Sequence, residues 1–166
     1  MADRLRPLDP KPLDWIERAP LSFRGSATTT ASPDALFAIL IDYPSWPEWF
    51  PSVRSVEHVG DQKEGVGSRR RVRVPGAVFD EEFIAWEPGA RWTFTGLASR
   101  PRILAALVED CRIEPKGDRT EVSYTMYVEP VRGLGLPTKA SAPMLRRNLT
   151  KAMQNLAAWA EGRPLA

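Results

Sequence analysis

The stretch TKASAPMLRRNLTKAMQNLAAWAE, residues 138–161, decides the fold. Leu145, Leu149, Ala152, Met153, Leu156 and Trp159 recur at the spacing of one helical face. Arg146, Arg147, Lys151 and Gln154 fall on other faces. Gly162 and Pro164 supply the stop expected just past a helix C-terminus. The pattern predicts a long amphipathic helix whose apolar stripe needs a partner.

That partner precedes it. Val53–Val59, Gly67–Val74, Ala77–Glu87, Arg91–Gly96, Ile103–Glu114 and Thr120–Glu129 read as strands, separated by turn residues such as Gly60-Asp61, Pro75-Gly76 and Pro88-Gly89. Strands joined this closely predict an antiparallel meander, because parallel pairs need long crossovers. Leu21–Thr30 reads as a further, first strand. Ser32-Pro33-Asp34 then supplies an N-cap, a proline at the first helical position and an acid in the first turn of a helix Pro33–Ile41. Between Tyr43 and Pro51 three prolines and four aromatics crowd together, which permits short helical turns only. The prediction is an α+β chain: a curved antiparallel seven-stranded sheet gripping the C-terminal helix, with two short helices after the first strand. Where sheet and helix diverge, a small-molecule site is expected.

Residues 1–20 contain Pro7, Pro10, Pro12 and Pro20 and no strand alternation, so they read as an arm ahead of a domain spanning residues 21–162. A turn of helix at Asp14–Arg18 would dock it through Trp15 and Ile16; a frayed terminus is the alternative.

The 166 residues suit one domain, and 23 basic against 21 acidic side chains leave a net charge of +2, too even for a dedicated nucleic-acid binder. No apolar run is long enough to span a bilayer, and MADRLRPLDP lacks the apolar core of a secretory signal, so a cytoplasmic location is expected. One cysteine, Cys111, excludes an internal disulfide; one histidine, His58, excludes most histidine-based metal sites. No phosphate loop, H-E-x-x-H or G-x-S-x-G motif is present, and neither metal nor cofactor is expected.

Strand alternation proposes a cavity lining. Ile103, Ala105, Leu107, Cys111 and Ile113 share one parity, with Glu109 among them. Val122, Tyr124, Met126 and Val128 face inward, as do Trp92 and Phe94. On the Ala77–Glu87 strand the set Ala77, Phe79, Phe83 and Ala85 carries Glu81 with it, although Ile84 and Trp86 on the other face leave room for a bulge. In the basic run Arg69–Arg73, Arg69, Arg71 and Arg73 point to solvent and Arg70 points inward. Arg70 therefore pairs with a glutamate, either to hold the polar group of an apolar ligand or as a partly wet structural pair at the cavity rim. Phe37, Trp46, Trp49 and Phe50 plug one end of the core or line the pocket mouth. Leu145, Leu149 and Met153 line it from the helix, and Gly133–Pro137 is either a loop at its entry or an ordinary turn into the helix.

Taken in order, Ala31–Phe37, Asp42–Trp49, Val53–Val59, Glu81–Pro88 and Asp118–Val122 resemble the START-like (SRPBCC) superfamily, the helix-grip fold shared with the birch pollen allergen. The polyketide cyclase/dehydrase and lipid-transport branch is the most similar. The resemblance covers roughly residues 21–161 and implies an internal hydrophobic cavity. The leading expectation is binding, transport or sequestration of a hydrophobic small molecule, lipid-like or polyketide-like, driven by burial at ~25 cal/mol per Å². The second is a cofactor-independent polyketide aromatase/cyclase or dehydratase using Glu81, Glu109, Arg70, Tyr124 or His58. The third is a protein-interaction module built on the arm and the Pro/Trp-rich segment. The oligomeric state is left open, a homodimer included.

Overall fold

The computed structural model describes residues 4–165. Along the chain run β1 (Arg6–Pro7), β2 (Leu21–Thr29), α1 (Pro33–Ile41), α2 (Trp46–Trp49), β3 (Ser55–Val59), β4 (Arg69–Val74), β5 (Ala77–Glu87), β6 (Arg91–Arg100), β7 (Leu104–Lys116), β8 (Arg119–Pro130), α3 (Gly135–Ala140) and α4 (Ala142–Ala160). Every pairing is antiparallel, and the seven expected strands form one sheet in the order β2-β8-β7-β6-β5-β4-β3. The Ser32 hydroxyl accepts from the Ala35 N–H at 3.2 Å, capping α1.

α4 lies across the sheet nearest β2. At Gly25 an added Cβ would stand 2.2 Å from the Thr150 backbone nitrogen, so the absence of a side chain lets the helix backbone rest on the strand. Asn155 donates to the Trp49 carbonyl at 3.0 Å, tying α4 to α2. At the far end the Glu161 carboxylate accepts from the Thr29 hydroxyl at 2.6 Å and the Thr30 N–H at 2.7 Å. α1 and α2 pack between α4 and the sheet and close one end of the grip.

The arm is part of the sheet. β6 and β7 pair only along Arg91–Thr95 and Val108–Arg112. Beyond that the strands separate, and the arm enters the seam. Arg6 and Pro7 pair with Ser99 and Ala98, the Leu8 N–H donates to Leu97 at 2.9 Å, and the Asp9 N–H donates to Ala105 at 2.8 Å. Leu8 joins the main core; the space of a Cβ on Gly96 is taken by Leu8 Cδ1, 2.7 Å away. A 3₁₀ turn, Leu13–Glu17, then lays Trp15 on the outer sheet face against Ala106 and Val108.

Alternation holds on β8, where Val122, Tyr124 and Val128 are buried and Met126 packs on the core. It fails in two places. A bulge between Leu104 and Ala106 turns Leu104 inward and leaves Ile103 exposed, against expectation. Another, between Phe83 and Ala85, brings Trp86 onto the core beside Phe83. The terminal helix is two helices, not one, because Pro143 starts a new first turn after Ser141. The expected entry loop supplies α3, and Trp159 is exposed rather than part of the buried stripe.

Candidate functional site

Arg70 stands opposite Glu81 in the β4–β5 register, on the inner face. Its neighbours alternate outward onto acids: Arg69 meets Glu82 at 2.6 Å, Arg71 meets Asp80 at 2.6 Å, and Arg73 meets Glu57. The basic run is thus a ladder of cross-strand pairs, each contributing little at the surface.

Inside, the Arg70 Nε donates to Glu81 Oε2 at 2.7 Å, with the two residues only 1% and 3% exposed. The pair is fully enclosed, not a wet pair at a rim. Its guanidinium carbon lies 4.2 Å from the Phe94 ring centroid, 4.3 Å from Trp92, 4.7 Å from Trp46, 5.5 Å from Phe83 and 5.7 Å from Tyr43. An aromatic box around a desolvated cation adds about 2 kcal/mol of cation–π attraction. Burial works against the charge, but Glu81 and the nearby tyrosines outweigh it and hold the Arg70 pKa above its ordinary value. Three buried polar atoms around this box, Arg70 Nη1, Trp92 Nε1 and the Tyr43 hydroxyl, have no hydrogen-bond partner among the described residues.

Glu109 lies on β7, two strands from Glu81 with β6 between, opposite Phe94 and Met126. The Tyr124 hydroxyl donates to its Oε2. Arg70 is already neutralised by Glu81, so a second carboxylate would stand unanswered. Burial, reinforced by the Glu81 charge, pushes the Glu109 pKa up to about 8 against the opposing effects of Tyr124 and Arg70. The group is mostly protonated at neutral pH. Its neighbour Asp110, on the outer face, shows the opposite outcome. There burial is overcome by hydrogen bonds from Arg91 at 2.9 Å, Thr93 at 2.6 Å and Arg112 at 2.8 Å, which hold it below the usual range.

Arg70, Glu81 and Tyr124 are buried, whereas Glu109 is half-buried. Phe79, Met126 and Leu145 are among the side chains that pack on the core and stay half-buried. Phe37, Trp46, Trp49 and Phe50, together with Phe83, Trp92 and Phe94, are buried. The indole N–H groups of Trp46 and Trp49 are spent on Leu40 O at 3.0 Å and Ser45 Oγ at 3.3 Å, so these residues plug the core. Leu107 on β7 and Leu149 and Met153 on α4 are buried. Two surface depressions, about 420 and 610 Å³, are lined by none of the four polar residues of the cluster.

His58 sits opposite Arg70 but on the edge strand, exposed, with the Tyr43 ring tilted against it at 4.6 Å. Burial of that ring face, and then Lys63, lower its pKa. It is separated from Glu109 by β4, β5 and β6. Cys111 is buried and its thiol is pushed up, leaving it unreactive. Tyr43 was not among the expected site residues; the aromatic crowding of Tyr43–Phe50 is the one signal that pointed to it. Among the described residues no cluster has the composition of a metal site, and no helix is long and apolar enough to cross a membrane.

The sequence model for polyketide cyclase / dehydrase and lipid transport matches residues 20–161. An uncharacterised protein of Mycobacterium tuberculosis is 29% identical over 153 residues, covering 91% of each chain. Among solved structures, a hypothetical protein of Helicobacter pylori superposes with a TM-score of 0.74 at 14% identity, over 96% of this chain and 99% of its own. A START superfamily protein of Mycobacterium smegmatis gives 0.68 at 18% identity, over 83% and 97%. The Zhui aromatase/cyclase of a Streptomyces species gives 0.66 at 18% identity, over 85% and 93%. At these identities the structural likeness concerns the fold.

Proposed function

The chain belongs to the polyketide cyclase / dehydrase and lipid-transport family, and on that premise we propose that it binds a hydrophobic small molecule bearing a carbonyl-type oxygen. The observation that carries this reading is Glu109: a protonated acid that keeps part of its surface free. Tyr124 occupies one carboxyl oxygen, and the acid proton is left to donate to a ligand. Met126, paired with Glu109 across β7 and β8, and Leu145 are both half-buried on the core, and between them we place the way in; methionine adapts readily to an arriving shape. Arg70 does not touch the ligand here; boxed by rings, it holds Glu81, whose charge adds to burial in keeping Glu109 protonated.

Prodan, a neutral naphthyl ketone whose emission reports polarity, tests this. Wild-type protein should bind it with a blue shift, weakening as pH rises through about 8 and Glu109 loses its proton. Glu109→Gln, which keeps a donor at all pH values, should bind without that dependence. Met126→Trp and Leu145→Trp should fill the passage and abolish the signal. Unchanged binding in both filled variants would overturn the proposal. The same retained proton favours one chemical reading, in which Glu109 acts as general acid toward a β-carbonyl chain during dehydration or cyclisation.

A further inference from the structure

Between Glu129 and Glu161 the chain has no acidic residue, whereas Arg132, Lys139, Arg146, Arg147 and Lys151 supply five cations. The whole chain carries +2, so everything outside this segment sums to −3. All five side chains are exposed, and among the described residues none meets a carboxylate. This contrasts with the arginines of β4, each matched across the sheet. Glu129, at the border, faces Lys11 at 3.9 Å.

The same surface exposes large apolar side chains. Leu136 on α3 is 81% exposed, Met144 on α4 58%, and Ile103 before β7 47%. The backbone ties the Ile103 corner to α3: the Val131 N–H donates to Ile103 at 3.1 Å, Leu134 to Val131 at 3.0 Å, and Thr138 to Leu134 at 3.0 Å. Arg102, also exposed, adjoins Ile103. Apolar tips set among unpaired cations match an interface that is anionic at its surface and apolar just below it. A nucleic acid would use the cations but offer nothing to a protruding leucine. An acidic protein would answer the charge, yet these side chains stand proud rather than lining a pocket.

We propose that α3, the first turns of α4 and the Arg102–Ile103 corner form a docking surface for an anionic lipid bilayer. The surface rests on its own charge and exposure. It borders Leu145 and the end of β8, so docking would set that part of the grip against the bilayer; passage of a ligand between the two rests on the binding proposed above.

Flotation of the full chain with phosphatidylcholine vesicles, with and without phosphatidylglycerol, tests it. The protein should float with the anionic vesicles at low salt, release as salt rises, and ignore the neutral ones. Each cation near the surface contributes roughly fivefold, so Arg146→Glu with Arg147→Glu should weaken partition at least about 25-fold. Leu136→Glu should weaken it by about tenfold or more. Arg119→Glu, exposed in the β7–β8 hairpin at the opposite end of the sheet, should change little. These side chains are exposed, so circular dichroism should verify an unaltered fold in every variant. No flotation at low salt overturns the proposal, as does partition indifferent to the Arg146/Arg147 pair. Sensitivity to that pair without sensitivity to Leu136, with single-stranded RNA competing, would assign the surface to a polyanion instead. Prodan binding, read without vesicles, stands or falls separately.

Discussion

Glu109 and Arg70 show what a buried charge demands of its surroundings. Arg70 has Glu81 at 2.7 Å and five rings about it; Glu109 has Tyr124 and no cation of its own. The consequence for stability has a definite sign. The unfolded chain releases the Glu109 proton near 4.5, whereas the folded protein holds it to about 8. Between those values the native state binds more protons, so stability declines as pH rises through that window, by at most about 1.4 kcal/mol per unit, and levels off above it. Glu109→Gln removes this cost. It should therefore melt at a higher temperature than wild type at pH 9 and differ little at pH 4, as followed by far-ultraviolet circular dichroism. A variant less stable than wild type at pH 9 would contradict the assignment.

Among the elements, α4 and β2 meet most closely at Gly25. Gly25→Ala places a methyl group against helix backbone that has no side chain to rotate away. A loss of about 3 kcal/mol or more is expected, read from the urea midpoint; a wild-type midpoint would mean that α4 does not rest there. Nothing local marks Gly25, whose partner lies more than a hundred residues along the chain. The helix itself was legible, because Leu149, Met153 and Leu156 repeat with its period. So was the inward turn of Arg70, which alternates with Val72 like any strand pair. The box around it was not, since its rings come from β5, β6, α2 and the Tyr43 turn and converge only in three dimensions. Bulges defeated alternation at Ile103 because one extra residue changes the facing of all that precede it.

The molecule as a whole is larger than its family match. That match begins at residue 20, yet Leu8 is a core residue and Trp15 covers the outer face of β7. Leu8→Ala should cost about 2–5 kcal/mol, and removal of residues 1–19 more, because the β6–β7 seam then loses its backbone partners as well. Calorimetry of the shortened chain giving the full-length melting temperature would refute this. The box around Arg70 has a further consequence for the intact molecule. Trp46 lies 4.7 Å from Trp49 and 5.5 Å from Trp92, and all three indoles are locked in asymmetric packing. Near-ultraviolet ellipticity should therefore be intense and dominated by this one locus, giving the protein an intrinsic optical gauge of whether its centre has been disturbed.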